Sequence, residues 1–446
     1  MASMLPLLAL ACTSSGPDGP TSLHPTLTVD AEAGTFATVT WTTEEVADGR
    51  LEFGDDTAYG ASLEATESED GMEHTVRWFG TPAGAEPHWR VVSEGASGPM
   101  WSPDEVYDAP PPPTVFPSLD GEVDPSAEAG FVLTSMLPRP SAAVILDGDN
   151  RPVWWKLLED GRVIMQTRLS TDGTAVLILD TAADYLDDDT VLHRVPLDGS
   201  PASELRLPHG HHDFVELADG RVLFLAVDIQ PLDGADVAGD ALVAIDEAGN
   251  TETMWSAWES VPIGTIEPKL LYPGNFVDWT HCNGFAVDAT TGEFWVSAHN
   301  LSGVLVIDPE TRGVRWQIGG TLSNVTIEGG GFDQQHSPAL VDGGFLIFDN
   351  GPSEAETLRS AVREFTFDAA SNTATRVWSY EDPDGIYASF FGNAERLVGG
   401  NTLVSWGAAG RIAEVTPDGT RARRLDVGIG TALGYVHALG AGFTVR

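Results

Sequence analysis

Lysine is almost missing from this 446-residue sequence. Lys156 and Lys269 stand alone, and arginine brings the basic total only to 23, against 67 aspartates and glutamates. The resulting formal net charge of −44 leaves no basic face to neutralise phosphates, which excludes nucleic acid as a partner. Such an acidic surface stays soluble in high salt. Cysteine is scarce as well: Cys12 and Cys282 cannot build a disulfide framework. No apolar run reaches the roughly 18 residues that a membrane-spanning helix needs.

What is there begins with residues 4–11 (MLPLLALA), a short apolar stretch followed by Cys12 and the polar segment 13–20 (TSSGPDGP). This resembles a bacterial lipoprotein signal with Cys12 as the lipidated residue, although no Lys or Arg precedes the apolar stretch. The competing reading is a disordered N-terminus with a chance cysteine. The lipoprotein reading makes residues 1–22 a signal and tether. It places the protein outside the cytoplasm, periplasmic or at the cell surface, with membrane contact only through that lipid.

Residues 23–109 alternate apolar and polar positions in short segments such as 38–42 (TVTWT), 50–53 (RLEF) and 88–92 (HWRVV), separated by Gly-rich and acidic turns. The pattern predicts a small antiparallel β-sandwich. Residues 39–43 (VTWTT), 51–54 (LEFG) and 74–76 (HTV) resemble a fibronectin type III domain. Four prolines at 110–113 read as a stiff linker, which leaves 114–446 as a second, larger domain.

In that second domain the sequence repeats. One unit is an apolar strand ending in aspartate, a turn, and a strand often ending in tryptophan. Its aspartates, Asp147, Asp198, Asp246, Asp308, Asp368 and Asp418, are spaced 51, 48, 62, 60 and 50 residues apart. Between these units lies a second hairpin type, turning around Gly173, Gly220, Gly292, Gly343, Gly400 and Gly440. Six copies of each predict an all-β fold, a six-bladed β-propeller preceded by the sandwich. The order of the units predicts that the last blade combines strands from both ends of the domain, with a complete hairpin at 435–445 closing the ring.

Eleven histidines occur, and three fall in register. His212 lies 8 residues before Gly220, His281 lies 11 before Gly292 and His336 lies 7 before Gly343, each at the start of the same strand in successive repeats. Equivalent strand ends meet at a propeller's channel mouth, so these imidazoles are expected to gather there. His299 is a candidate to join them. Asp213, Asp278, Asn283 and Gln335 flank them and are of the kind that orients a working imidazole. Cys282 beside His281 is expected to point away from the channel, because neighbouring strand residues face opposite sides. Trp279 suits an aromatic ligand at the mouth.

At these residues the sequence resembles the bacterial arylsulfate sulfotransferases. The matching stretches are 211–217 (HHDFVEL) with Asp219 and Gly220, 278–283 (DWTHCN), Gln335 and His336 leading to 346–351 (LIFDNG), and Gly392 and Asn393 leading to 401–407 (NTLVSWG). The resemblance implies a six-bladed propeller that moves a sulfuryl group from a phenolic sulfate ester to a phenol. It further implies a sulfated histidine, no nucleotide sulfate donor and no cofactor. Carried over by position, His336 is the nucleophile and His212 and His281 assist at the sulfate, with His211 as an alternative to His212. In one place the sequence departs from the family pattern: where a sulfate-binding arginine is expected, 18 residues after His281, it has His299. Arg363 and Arg396 in neighbouring repeats are candidates to compensate, or solvated surface residues. Two other readings stay open, a metal-dependent hydrolase or lyase using the histidines as ligands, and a non-enzymatic ligand-binding propeller.

Overall fold

The computed structural model describes residues 23–29, 34–137, 140–159, 161–182, 189–263, 276–428, 432–440 and 443; Cys12 and the signal-like stretch lie outside them. The described chain is nearly all β and divides into eight sheets. None of its helices is long and apolar enough to cross a membrane.

Two of the sheets come from residues 26–106. The strand Ala37–Thr42 alternates buried and outward residues, and so does Glu73–Trp78 beside it. Their inward faces, Val39, Trp41, Val76 and Trp78, share one apolar core with Leu51, Trp89 and Val91 of the second sheet. This unit is seated on the rest of the molecule. Thr35 Oγ1 donates to Val153 O at 2.7 Å, Ala83 N donates to Pro152 O at 2.8 Å, and Phe79 packs on Phe131 and Phe443.

The other six sheets are numbered I to VI, their strands given from the innermost outward. Sheet I is Leu433–Leu439, Phe131–Met136, Ala142–Leu146 and Pro152–Leu157; sheet II is Arg162–Leu169, Ala175–Ala182, Val191–Pro196 and Ser203–Arg206. Sheet III is Gly210–Glu216, Val222–Leu232, Ala235–Ile245 and Thr251–Ser256; sheet IV is Cys282–Val287, Phe294–Ala298, Gly303–Ile307 and Val314–Ile318. Sheet V is His336–Val341, Gly344–Asp349, Ala361–Asp368, Thr373–Tyr380 and Thr326–Glu328. Sheet VI is Asn393–Arg396, Thr402–Trp406, Arg411–Val415, Arg421–Val427 and Leu119–Val123. The inner strands touch in cyclic order, I to VI and back to I, so the sheets form a closed, propeller-like ring.

Burial follows from that arrangement. Middle strands such as Ala142–Leu146, Gly303–Ile307 and Arg411–Val415 are buried at every position, because each sheet is covered on both faces by its neighbours. The first two are correspondingly runs of apolar residues rather than alternations, whereas Arg411–Val415 also buries Arg411 and Glu414, Arg411 paired with Asp382 and Asp426. The outer strand Thr373–Tyr380 alternates. The repeated aspartates have a local job: Asp147, Asp246 and Asp308 each accept two backbone N–H groups of the turn that follows. The inner-hairpin glycines 173, 220, 292, 343 and 400 all adopt positive φ, which only glycine takes without strain.

The closing sheet combines strands from both ends of the domain, as expected; the second half of the hairpin expected at 435–445 lies largely outside the described residues. Leu433–Leu439 pairs with Phe131–Met136, so sheet I takes one strand from the C-terminal end and three from the other. Gly440, unlike its five counterparts, is not in the left-handed region. A second clasp lies on the outside, where Leu119–Val123 pairs with Arg421–Val427 of sheet VI.

Side chains also stitch the inner strands to one another. Gln166 Nε2 donates to Asp213 Oδ1 at 3.1 Å, and Asp213 Oδ2 accepts Phe285 N at 3.0 Å. Asn283 Nδ2 donates to Gln335 O at 2.8 Å, and Asn350 Nδ2 donates to Ala388 O at 2.8 Å. Asn393 exchanges two hydrogen bonds with the backbone of Val436, and His437 Nε2 lies 3.2 Å from Gln166 Oε1. The circuit passes through all six sheets.

Candidate functional site

The three registered histidines occupy one structural device used three times. His211 and His212 sit at the head of the inner strand of sheet III, His281 directly before that of sheet IV, and His336 first in that of sheet V. Each strand then carries a register shift, between His211 and Phe214, Cys282 and Gly284, and His336 and Ala339. A residue in the left-handed region sits at each: His212 at φ 53°, His281 at φ 46° and Ser337 at φ 46°. Non-glycine residues rarely hold that conformation, and such strain collects where side chains must be aimed. His299 arrives from the far end of the second strand of sheet IV, its N–H bonded to His281 O at 3.1 Å.

Five imidazoles therefore form a row. Successive ring centroids from His211 through His212, His281 and His299 to His336 lie 5.1, 5.2, 5.1 and 5.7 Å apart. All are largely buried.

The partner on each Nδ1 differentiates them. His336 Nδ1 lies 2.7 Å from Asn350 Oδ1, whose amide hydrogens donate to Ala388 O and Phe391 O. The amide orientation is thereby fixed, so Nδ1 carries the hydrogen and Nε2 the lone pair. His299 Nδ1 is held in the same way, 2.9 Å from Asn300 Oδ1, with Asn300 Nδ2 donating to Asp278 O. His281 Nδ1 instead meets a carboxylate, Asp278 Oδ2 at 2.6 Å. Behind His212, His211 Nδ1 lies 2.8 Å from His212 Nδ1 and His211 Nε2 lies 3.0 Å from Asp240 Oδ1.

The electrostatics diverge accordingly. Burial pushes His212 well below the ordinary imidazole pKa, and the other imidazoles add to the shift. Burial likewise depresses His336, reinforced by His299. For His281 burial acts in the same direction but is outweighed: its hydrogen bond to Asp278, with the charges of Asp278 and Asp240, raises its pKa. One row thus holds two rings shifted toward the neutral form, His212 and His336, and between them one shifted toward its charged form.

Several flanking residues do other work than the sequence suggested. The register shift turns Asp213 toward sheets II and IV, where it accepts from Gln166, Arg168 and Phe285. Asn283 spends its amide on Gln335 O. Trp279 is 5% exposed and packs on Trp258 in the apolar core with Cys282, so it presents no face to the mouth. Cys282 is fully buried, and burial pushes its thiol well up, in keeping with a side chain turned away from the channel. Arg363 is paired with Asp349 Oδ2 at 2.5 Å. Arg396 is paired with Glu364, bonded to Gly400 O and stacked over Trp378. Neither supplies a cation to the row. Sequence reasoning missed Asp240, Asn300 and Asn350. Asn350 lay inside the matched stretch 346–351 and Asn300 directly follows His299, so both had a signal; Asp240, on the third strand of sheet III, had none. Among the described residues no three His, Cys, Asp or Glu side chains are placed to hold one metal ion.

A family model described as Arylsulfotransferase (ASST) matches residues 153–426, more than half of the chain and the whole of this row. The chain belongs to the arylsulfotransferase family. No curated protein matches its sequence. Similar solved structures include virginiamycin B lyase from Staphylococcus aureus, 11% identical with a TM-score of 0.38 over 70% of this chain and 89% of that one. They also include a dihydro-heme d1 dehydrogenase, 12% identical with a TM-score of 0.38 over 76% of this chain and 84% of that one. As an arylsulfotransferase family member the chain acts on small molecules, and its histidine row is the candidate place for that chemistry.

Proposed function

We propose that this arylsulfotransferase moves a sulfuryl group from a phenolic sulfate ester to a phenol through a sulfohistidine on His336, without a nucleotide donor or cofactor. The observation that carries the proposal is the 2.7 Å contact from His336 Nδ1 to an amide oxygen locked in place, which directs the lone pair to Nε2. A neutral buried imidazole is a competent nucleophile, and a covalent intermediate divides one difficult transfer into two easier ones.

In this scheme His336 Nε2 attacks sulfur, the sulfur–oxygen ester bond breaks, and its electron pair leaves with the aryl oxygen. A proton from the row converts that oxygen to a phenol. The sulfated ring still carries its Nδ1 hydrogen, and Asn350, a neutral amide, cannot remove it. The ring therefore stays cationic and remains a good leaving group for the acceptor phenol. His281, when protonated beside Asp278, supplies positive potential for the sulfuryl oxygens in place of the permanent arginine expected at position 299. The buried row also answers the molecule's charge of −44, which repels an anionic ester at long range.

The ring of six sheets is read as a six-bladed propeller at 114–446, residues 23–109 as a fibronectin type III-like sandwich and 110–113 as the link between them. Residues 1–22 with Cys12 are read as a lipoprotein signal and tether of an exported protein. Incubation with p-nitrophenyl sulfate and a phenol acceptor tests the chemistry. The expected result is nitrophenol release, ping-pong kinetics and one sulfuryl group recovered on His336, all absent in His336→Asn. Transfer that survives in His336→Asn would refute the nucleophile, and no transfer at any pH would refute the reaction.

A further inference from the structure

The transfer needs a proton donor at the departing oxygen, and His212, one of the rings assigned to the sulfate, sits between other imidazoles. A cation on His212 would face, at 5.2 Å, the His281 ring, which Asp278 shifts toward its own charged form. What lies on the other side of His212 is arranged differently. His211 and His212 approach through their Nδ1 atoms at 2.8 Å, a distance at which one hydrogen must lie between them. His211 Nε2 faces Asp240 Oδ1 at 3.0 Å. The second oxygen of Asp240 is pinned by Thr280 Oγ1 at 2.5 Å and Cys282 N at 2.7 Å, so Oδ1 stays turned to His211. Asp240 is 4% exposed and His211 2%.

We propose that Asp240, His211 and His212 form a proton relay in which His211 holds the mobile proton against the carboxylate and His212 delivers it at Nε2 to the aryl oxygen. The proposal rests on the transferase reading and assigns Asp240 and His211 as positioning residues acting through His212.

The proton count closes. In the loaded state His211 is an imidazolium, its Nε2–H beside Asp240 Oδ1 and its Nδ1–H on His212 Nδ1, while His212 is neutral with its hydrogen on Nε2. As the sulfur–oxygen bond breaks, His212 Nε2–H passes to the aryl oxygen and the His211 Nδ1 hydrogen moves to His212 Nδ1. His211 is then neutral, its remaining hydrogen on Nε2 beside Asp240. In the second half the acceptor phenol gives its proton to His212 Nε2, the hydrogen between the rings returns to His211, and the phenol oxygen takes the sulfuryl group from His336 Nε2. At no point does His212 carry a net charge, so the relay's positive charge stays on His211, at the end of the row beside Asp240 and one ring removed from His281. The groups facing the pair are His281 with Asp278 on one side, and Asp240 with Thr280 and the buried Cys282 thiol on the other.

Asp240→Asn and His211→Gln should be assayed over a series of aryl sulfates running from p-nitrophenyl sulfate to phenyl sulfate. Nitrophenolate departs without a proton, so its transfer should fall less than about 10-fold, whereas phenyl sulfate transfer should fall about 10²–10³-fold, steepening the leaving-group dependence. An equal loss across the series in both variants, or an unchanged slope, overturns the relay and leaves the pair a structural support. If the wild-type protein transfers from none of these esters, the transferase reading fails by itself. The relay is then judged by NMR of the imidazole nitrogens. Its signature is an added proton that makes His211 the imidazolium and leaves His212 neutral, with that proton lost more easily in Asp240→Asn. Imidazolium signals on His212, or an unchanged titration in Asp240→Asn, overturn it.

Discussion

An amide behind His336 and a carboxylate behind His281 ask different things of the same ring. The amide accepts a hydrogen bond and fixes the tautomer without stabilising a positive charge as an anion would. Replacing Asn350 by alanine frees the ring to adopt the other tautomer, and transfer should fall on the order of 10²–10⁴-fold with little change in KM, as steady-state kinetics would record. The carboxylate has the opposite effect. His281 is raised above its ordinary value, so the charged ring persists at low pH and is lost as pH rises through the folded-state pKa. Activity that depends on the charge should decline on the alkaline side, and Asp278→Asn should move that decline to lower pH. An alkaline limb that stays put in the variant argues against a working cation at His281. The depressed His336 and His212 remain neutral well into mildly acidic solution, which puts the acid limb below the ordinary histidine range. Cys282 belongs to none of this: its buried, unionised thiol should resist alkylating reagents until the protein unfolds.

Among the elements, the inner strands bear most of the constraint. Gly284 has no room for a side chain, since a Cβ there would lie 2.8 Å from Ser337 Cα on the next inner strand. Gly284→Ala should therefore cost about 1–3 kcal/mol, read as a lowered thermal midpoint, by forcing sheets IV and V apart. At this scale the sequence was legible where a local period governs and illegible where a partner comes from elsewhere. The register of His212, His281 and His336 could be read because the repeat places each at a strand head, and Cys282 followed from strand alternation. Asp213 could not, because the irregularity after His211 breaks that alternation and turns the carboxylate across two sheet boundaries. Asp240 reaches His211 from two strands away, a separation that no short motif encodes. The stretch from Tyr435 has the apolar pattern of a strand, but the pattern does not name its neighbour, which is Phe131–Met136, about 300 residues earlier.

For the whole molecule, the ring depends on both clasps, and the inner one is the more exposed to damage. A chain ending at residue 432 lacks the innermost strand of sheet I and uncovers Leu133, Thr134 and Ile164 beside it. Such a chain should lose cooperative unfolding and become protease-sensitive throughout, not merely at its end. A compact, active product of that length would argue that the ring closes some other way. The seating of the first two sheets on sheet I, through Thr35 and Ala83, predicts that removing them lowers the stability of the remainder while leaving the distant histidine row in place.

The pairing of Phe131 with Leu439 also has a consequence in time. A ribosome that has finished Phe131–Met136 must add about 300 more residues before the strand that completes that sheet exists. At roughly 5–20 residues per second this is a wait of about 15–60 seconds, during which sheets II to V can form but the ring stays open. The apolar inner edge of sheet I is then on offer to any other strand. Newly made chains should accordingly be most prone to cross-pairing and most dependent on chaperones until Leu433–Leu439 has emerged, and the ring that carries the histidine row should close only then.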